Sequence, residues 1–181
     1  MSAPGVLAKV KICMAGEAGV GKTSLIRRFV QDAFDDRYVA TLGTKVTKKS
    51  VAVRHPSGAG DVPVDVIIWD IMGTPTLREL LKEAYYHGAR GILAVADVTR
   101  RGTLDALDAW AASIRSVAGN IPTYGVVNKE DLHPQAAMTS AEVESFFRAR
   151  GWAWSYASAR SGRGVEEIFQ GLVTQVLVGR D

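Results

Sequence analysis

Two kinds of apolar segment alternate along the chain. Short, continuous apolar runs occupy residues 10–16, 64–70, 91–98 and 123–128, and a more mixed run occupies 152–158. A continuous run of this length predicts a strand that is buried on both faces. Such strands are typical of a parallel sheet covered by helices on both sides.

The segments between these runs carry apolar residues at helical spacing. In 165–177 these residues form one broad apolar face, and 103–117 shows the same pattern. The helix near 140–150 begins with Thr139 or Ser140, either of which can cap it, and an acidic residue follows in the first turn. The alternation therefore predicts that helices connect consecutive strands and pack on the faces of the sheet.

One segment breaks this alternation. Residues 44–70 show no helical period, only the turn cluster "HPSGAGD" at 55–61. This predicts a hairpin whose first strand runs antiparallel at the edge of the sheet. The expected fold is a single three-layer α/β domain over residues 1–181, with a six-stranded, mostly parallel sheet, one antiparallel edge strand and about five helices.

Composition narrows the class of protein. Of the 181 residues, 47% are hydrophobic, which is enough for a full core, and no stretch approaches the roughly 20 apolar residues of a membrane helix. Cys13 is the only cysteine, so we expect a cytoplasmic protein without an internal disulfide. We expect both Cys13 and Trp69 to serve the core. The net charge of +3 is spread out, and its densest patch, 45–49, is expected to be a solvated strand face rather than a nucleic-acid site.

A glycine-rich segment follows the first predicted strand. Residues 16–24 are "GEAGVGKTS", in which Gly16, four further residues and then Gly21-Lys22-Thr23 match the pattern G-x-x-x-x-G-K-[ST]. Glycines allow backbone N–H groups to point at a phosphate chain, and the next helix adds its positive end. Lys22 would reach the outer phosphates, and Thr23 would hold a magnesium ion. The alternative is a strand-to-helix turn without a ligand.

Further motifs follow the other predicted strands, at the edge of the sheet where ligands bind in such folds. They are a D-x-x-G at 70–73, an N-K-x-D at 128–131 and "ASARSGRGVEEIF" at 157–169. Residues 34–43 and 85–99 also match, in order, the segments around the two switches of a known family. Over nearly its whole length the chain resembles the small GTPases of the Ras superfamily, and most closely the Rab and Ran branches.

This resemblance implies a switch that binds GTP and GDP with Mg²⁺. The residues it assigns to the nucleotide are Gly16, Glu17, Ala18, Gly19, Val20, Gly21, Lys22, Thr23, Ser24, Phe34, Tyr38, Thr41, Gly73, Asn128, Lys129, Asp131, Ser158, Ala159 and Arg160. The metal ligands would be Thr23, Thr41 and Asp70, and the groups acting on the transferred phosphate would be Lys22, Thr41 and Gly73.

Guanine recognition would rest on the residues of the N-K-x-D motif and of the loop that begins at 157. A carboxylate such as Asp131 accepts from the N1–H and N2–H₂ of guanine at once. Asn128 would bridge loops and reach the other edge of the base, the stem of Lys129 would pack on its face, and the Ala159 N–H would donate to O6. Phe34 would cover the base; the alternative for Phe34 is a core contact at a helix end.

The γ-phosphate would control two loops. Thr41 would contact it directly, Asp70 would act through the metal and its water, and the Gly73 N–H would donate to it. Loss of the phosphate would release both loops. We therefore expect effector and regulator proteins to bind through switch I, 34–45, and switch II, 70–85.

The chain departs from the family where hydrolysis is concerned. Thr74, followed by Pro75, occupies the position of the glutamine that orients the attacking water, and no glutamine occurs between Asp70 and Tyr85. Ala18 stands where Ras proper has glycine, and its methyl group narrows the space that an arginine finger inserted by a partner protein would use. We expect hydrolysis at or below the scale of unassisted turnover, roughly 10⁻⁴ s⁻¹.

The last residues, 173–181, contain no cysteine and no polybasic stretch, so no prenyl anchor is expected. This favours a cytoplasmic relative of prokaryotic origin, archaeal or bacterial, without a direct lipid anchor. Three hypotheses remain for the function. The first is a GTP-hydrolysing switch. The second is a module that holds the nucleotide with negligible hydrolysis. The third is another P-loop enzyme such as a kinase, although no lid or second arginine cluster supports it.

Overall fold

Strands and helices alternate along the described part of the chain, which comprises residues 8–35, 43–71 and 75–179 of a computed structural model. The strands are β1 (Ala8–Ala15), β2 (Thr44–Arg54), β3 (Asp61–Ile71), β4 (Gly91–Asp97), β5 (Thr123–Asn128) and β6 (Ala153–Tyr156). The α-helices are α1 (Lys22–Gln31), α2 (Pro75–Tyr86), α3 (Arg101–Asp105), α4 (Leu107–Ala118), α5 (Ser140–Arg150) and α6 (Val165–Val178). A 3₁₀ helix at Glu130–Gln135 follows β5.

All six strands form one sheet in the order β2-β3-β1-β4-β5-β6. Every neighbouring pair is parallel except β2 and β3, which form the predicted antiparallel hairpin with Arg54 opposite Asp61. The His55 N–H donates to the Gly60 carbonyl at 2.9 Å and closes the turn. The prediction of a mostly parallel sheet with one antiparallel edge strand is confirmed.

The core lies on both faces of the sheet, because alternate residues of a strand point in opposite directions. On β1, one face joins the cluster formed with α1 and α6 through Val10, Ile12 and Met14. Cys13 is fully buried on the opposite face, in a cluster that includes residues of α2, α4 and α5. Trp69 packs against that second cluster, with the Lys11 ammonium 3.8 Å from its ring centroid. Cys13 and Trp69 therefore serve the core, as predicted.

The basic segment 45–49 lies on edge strand β2. The Lys48 ammonium is 2.7 Å from Asp65 Oδ2, and the Lys49 ammonium is 3.6 Å from Glu166 Oε2. Val46, which precedes them on the same strand, is 50% exposed. Two of the three lysines of this segment are thus paired with carboxylates of neighbouring elements, which fits the expectation for an edge strand.

Helix α5 begins as the sequence indicates. The Thr139 hydroxyl accepts from the Glu142 N–H at 3.2 Å, and Glu142 Oε2 accepts from the Thr139 N–H at 2.7 Å. This reciprocal pair is a capping box, which satisfies two backbone donors that the helix leaves without partners. Thr139, rather than Ser140, is the capping residue.

Two boundaries differ from the prediction. The segment 103–117 belongs to two consecutive helices that meet at Ala106, so the described residues contain six α-helices rather than about five. Helix α3 begins at Arg101, two residues before the predicted helical segment. There the Thr103 hydroxyl donates to the Arg100 carbonyl at 2.6 Å and accepts from the Asp97 N–H at 2.9 Å. Strand β6 is shorter than 152–158, because the Ser158 N–H donates within its own loop to the Arg163 carbonyl at 2.9 Å.

No helix in the described ranges is long and apolar enough to cross a membrane.

The contact between β5 and α5 requires a glycine. A Cβ at Gly125 would lie 2.2 Å from Cε1 of Phe147. The Phe147 ring is fully buried and stacks on Trp154 with their centroids 5.4 Å apart, so it has little room to move. Helix α5 therefore approaches the sheet closely only because residue 125 has no side chain.

We expect Gly125→Ala to lower the free energy of unfolding by about 1–3 kcal/mol, because the extra methyl group overpacks this contact. Urea denaturation measures the change. Gly102→Ala is the matched control: no atom lies within 4 Å of a Cβ built there, and alanine favours the helix. Equal midpoints for Gly125→Ala and the wild type would show that the contact is not tight.

Candidate functional site

The loop between β1 and α1 has the backbone of a phosphate-binding loop. Gly16, Gly19 and Gly21 have φ values of 139°, 76° and 101°, which side-chain-bearing residues rarely adopt. At Gly21 a Cβ would also lie 2.3 Å from Nδ2 of Asn128. Helix α1 begins at Lys22, so the N–H groups of its first turn, which includes Thr23 and Ser24, lie beside the loop. The other predicted loop residues, Glu17, Ala18 and Val20, complete it.

Lys22 lies folded into this loop. Its ammonium donates to the Gly16 carbonyl at 2.6 Å and to the Glu17 carbonyl at 3.0 Å. Burial lowers the pKa of Lys22 to about 8, against the opposing effect of the nearby Asp70 and Glu17 carboxylates. The ammonium therefore lies where the loop would hold a phosphate chain, and its acceptors are carbonyls that a phosphate oxygen can replace.

Thr23 and Asp70, predicted as metal ligands, are in contact. The Thr23 hydroxyl donates to Asp70 Oδ2 at 2.5 Å, and the Asp70 residue is 1% exposed at the end of β3. A hydroxyl and a carboxylate are hard oxygen ligands, and Mg²⁺ typically takes one or two protein ligands plus water and phosphate oxygens. The residues present therefore fit Mg²⁺. Among the described residues no group of three or more His, Cys, Asp or Glu side chains could hold a metal ion.

Asn128 joins the two halves of the site. Its Nδ2 donates to the Val20 carbonyl at 2.9 Å, and its Oδ1 accepts from the Ala159 N–H at 3.2 Å. The residue is 1% exposed at the end of β5. One amide therefore links the phosphate-loop segment to the 157–164 loop. The Ala159 N–H, which the resemblance assigns to guanine O6, is directed at Asn128 in this structure.

Asp131 is held by the same loop. The Ser158 hydroxyl donates to Asp131 Oδ1 at 2.7 Å, and Ser158 Oγ accepts from the Ser161 N–H at 3.0 Å. Ser158 is buried and Asp131 is exposed. The serine therefore orients a carboxylate that faces solvent, and the exposed Arg160 follows in the same loop.

Lys129 has a left-handed backbone, with φ at 64°, which is uncommon outside glycine. Its ammonium is 2.7 Å from Oδ2 of Asp97. Burial would raise the pKa of Asp97, but hydrogen bonds from Lys129 and Thr99 outweigh burial and hold it below its usual value. Asp97 therefore remains a carboxylate that anchors the lysine of the N-K-x-D motif.

Sequence reasoning missed Asp97 and its neighbour Arg100. The Arg100 guanidinium donates to Asp97 Oδ2 at 3.1 Å through Nε and to the Ala18 carbonyl at 3.1 Å through Nη2. Asp97 ends strand β4, and the preference of ligand sites for strand ends could have identified it.

A second missed group connects α2 and α4 with the phosphate-binding loop. The Trp110 indole N–H donates to Glu17 Oε1 at 3.0 Å. The Arg78 guanidinium carbon lies 3.7 Å from the centroid of the Trp110 ring, and the Lys22 ammonium lies 5.5 Å from it. No sequence motif indicates these contacts, because the three elements are distant along the chain.

The remaining predicted residues divide into two groups. Phe34 is 36% exposed after the end of α1, which argues against the alternative of a buried core contact. Tyr38, Thr41 and Gly73 lie outside the described residues, as does Thr74.

Comparisons with known proteins agree with this geometry. The family model described as "Ras family" matches residues 11–178. Ras-related protein Rab-18 of Caenorhabditis elegans is 34% identical over 173 residues, covering 94% of this chain and 81% of the relative. Ras-related protein Rab11D of Nicotiana tabacum is 30% identical over 167 residues, covering 92% and 72%.

A third relative is longer. DnaJ homolog subfamily C member 27 of Danio rerio is 31% identical over 174 residues, which cover 93% of this chain but 61% of that protein. The match to the family model over nearly the whole chain, together with the Rab relatives, establishes the family. The chain belongs to the Ras family and is a Rab-like small GTP-binding protein, a GTPase switch.

Proposed function

We propose that the protein alternates between GTP- and GDP-bound states at the site joined by Asn128, with Mg²⁺ as its metal and slow hydrolysis of its own. The observation that carries the proposal is the Asn128 amide, which donates to Val20 in the phosphate-binding segment and accepts from Ala159 in the base-binding segment. This contact supports a ligand with a phosphate chain at one end and a base at the other.

The phosphate chain would lie along the loop from Gly16 to Gly21. The Lys22 ammonium would exchange its loop carbonyls for phosphate oxygens, and the N–H groups at the start of α1 would donate to the same anion. Thr23 and Asp70 would hold Mg²⁺, and Thr41 is the further ligand that the family resemblance adds. The ion, when bound, neutralises charge on the phosphates.

The guanine base would lie between the 157–164 loop and the residues after β5. The Asp131 carboxylate, oriented by Ser158, would accept from N1–H and N2–H₂. The stem of Lys129 would cover one face while its ammonium stays paired with Asp97. On binding, the Ala159 N–H would be shared between Asn128 and the guanine O6.

Hydrolysis would be slow because the chain supplies no glutamine to orient water in 70–85. Lys22, the loop N–H groups and the metal would still stabilise the transferred phosphate. A module that holds the nucleotide with negligible hydrolysis is the alternative, favoured by Thr74 in the glutamine position. Single-turnover hydrolysis of bound GTP distinguishes the two.

Partner proteins would bind through switch I, 34–45, and switch II, 70–85. In the described part of switch II, Leu80 is 75% exposed and Leu81 is 38% exposed on α2, and Val46, which directly follows switch I, is 50% exposed on edge strand β2. Exposed apolar side chains on the segments that sense the γ-phosphate suit an effector whose binding depends on the nucleotide.

The first test is of base selectivity. We expect the wild type to bind GDP far more tightly than ADP, and Asp131→Asn to weaken GDP binding by about 1.5–3 kcal/mol for each charge-assisted bond lost. The same variant should prefer xanthosine diphosphate, because an amide N–H₂ can donate to the 2-oxo group of xanthine. Calorimetry in Mg²⁺ measures all three. Equal affinities of the wild type for GDP and ADP would refute the proposed function.

The second test is of pH dependence. Phosphate contact should raise the pKa of Lys22 above its value of about 8 in the described state, so binding takes up a proton at higher pH. GDP affinity should therefore stay level from pH 7 to pH 8 and then fall by up to about tenfold per pH unit.

Lys22→Arg is the control for this test, because a guanidinium stays protonated throughout the range. Titration of the guanine base affects both proteins equally, so only the difference between their curves reports Lys22. Parallel curves for the wild type and Lys22→Arg would show that Lys22 does not titrate in this range.

The third test concerns Thr74. A short hydroxyl side chain cannot span both an attacking water and the γ-phosphate, and a proline at position 75 disfavours helical backbone for the residue before it. We expect Thr74→Ala to change single-turnover hydrolysis by less than about threefold, or ~0.7 kcal/mol. A tenfold loss would make Thr74 a working catalytic residue and contradict this account.

A further inference from the structure

Arg28, on α1, is bonded to the loop that carries the base-binding residues. Its Nε donates to the Ala159 carbonyl at 2.8 Å, and its Nη2 donates to the Arg160 carbonyl at 2.6 Å. The Arg28 side chain is only 16% exposed. Hydrogen bonds from a charged donor are stronger than those between neutral groups, and partial burial protects the bond to Ala159 from competition by water.

The same guanidinium also holds the end of α1. Its Nη1 donates to the Asp32 carbonyl at 3.3 Å and to Asp32 Oδ1 at 3.0 Å. Asp32 follows the last residue of α1 in a left-handed conformation, with φ at 50°, and Phe34 comes two residues later. Because the Asp32 side chain is 90% exposed, its ion pair contributes little, and the carbonyl bonds carry the contact.

We propose that Arg28 is a positioning residue for guanine: it fixes the 158–160 segment relative to the end of α1 and thereby sets the preference for guanine over other bases. This inference rests on the proposed function. In that function the 158–160 segment lies at one edge of the base and Phe34 at its face. Arg28 is the described side chain that bonds to both neighbouring backbone segments.

The mechanism is the orientation of one peptide segment. With the carbonyls of Ala159 and Arg160 held by the guanidinium, the Ala159 N–H is directed at Asn128, inside the site. Without Arg28, these carbonyls lose their donor and the segment gains conformational freedom. Guanine binding must then order the segment again, which costs conformational entropy. A ligand that makes no specific contact with this segment does not bear that cost.

The contrast between two nucleotides therefore tests the proposal. GDP and ADP share the diphosphate and the ribose, and only GDP carries the O6 and N1–H groups that the base-binding residues would recognise. We expect Arg28→Met, which keeps an unbranched stem, to raise the dissociation constant of GDP by about tenfold or more through loss of two charge-assisted bonds. The dissociation constant of ADP should change by less than about twofold, since the phosphate contacts remain intact.

Displacement of fluorescent GDP from the full chain in Mg²⁺ measures both constants. Arg28→Lys, whose ammonium has no fork to reach two carbonyls at once, should give an intermediate loss of selectivity. It also serves as the second variant if Arg28→Met fails to fold.

Arg150→Met is the matched control. Arg150 likewise donates to a backbone carbonyl, that of Phe146, at 2.6 Å and pairs with Asp108, but it does so on α5. We expect its GDP and ADP constants to equal those of the wild type. If Arg150→Met loses as much GDP affinity as Arg28→Met, Arg28 is only a general stabilising contact and the proposal is overturned.

Two further outcomes would overturn it. If Arg28→Met loses GDP and ADP affinity equally, or loses neither while the wild type prefers GDP, Arg28 does not position the base and the proposed function still stands. If the wild type itself does not distinguish GDP from ADP, the proposed function fails, and the role of Arg28 fails with it.

Discussion

The structure depends on the burial of β1 in the middle of a parallel sheet. Because β3 and β4 pair with β1 on either side, Cys13 lies opposite Trp69, and Ala15 lies opposite Ala94. This register brings the chain segments that follow three strands to one edge of the sheet. The phosphate-binding loop, Asp70 and Asp97 all lie there, and Asn128 follows because it pairs with Asp97. Burial of the apolar strands thereby brings these polar groups together.

Charge is balanced around the phosphate-binding loop by partners from separate elements. The cations there are Lys22, Arg78 and Arg100, and the carboxylates are Glu17, Asp70 and Asp97. Burial lowers the pKa of Lys22 to about 8, and the two further cations act in the same direction. The repulsion among the three cations is the part of this arrangement that a bound phosphate chain would relieve.

The sequence indicated those features that repeat or that are local. Periodicity predicted the six strands and the hairpin, and fixed spacing predicted the phosphate-binding loop and the N-K-x-D residues. The contacts it missed join distant parts of the chain: Trp110 with Glu17, Arg28 with Ala159, and Arg100 with Ala18. An arginine on an amphipathic helix looks the same in a sequence whether it faces solvent or a loop carbonyl. The junction of α3 and α4 was missed for a related reason, since the apolar period continues through it.

The close fit of Gly21 against the Asn128 amide constrains how this chain can evolve. The two residues are far apart in sequence, yet the volume that a side chain at 21 would need is already filled by Nδ2. A substitution at 21 therefore damages the base-binding half of the site as well as the phosphate half, and no single change at 128 restores the backbone conformation that only glycine tolerates. The two motifs are therefore structurally coupled, and a substitution in either is expected to disturb the other.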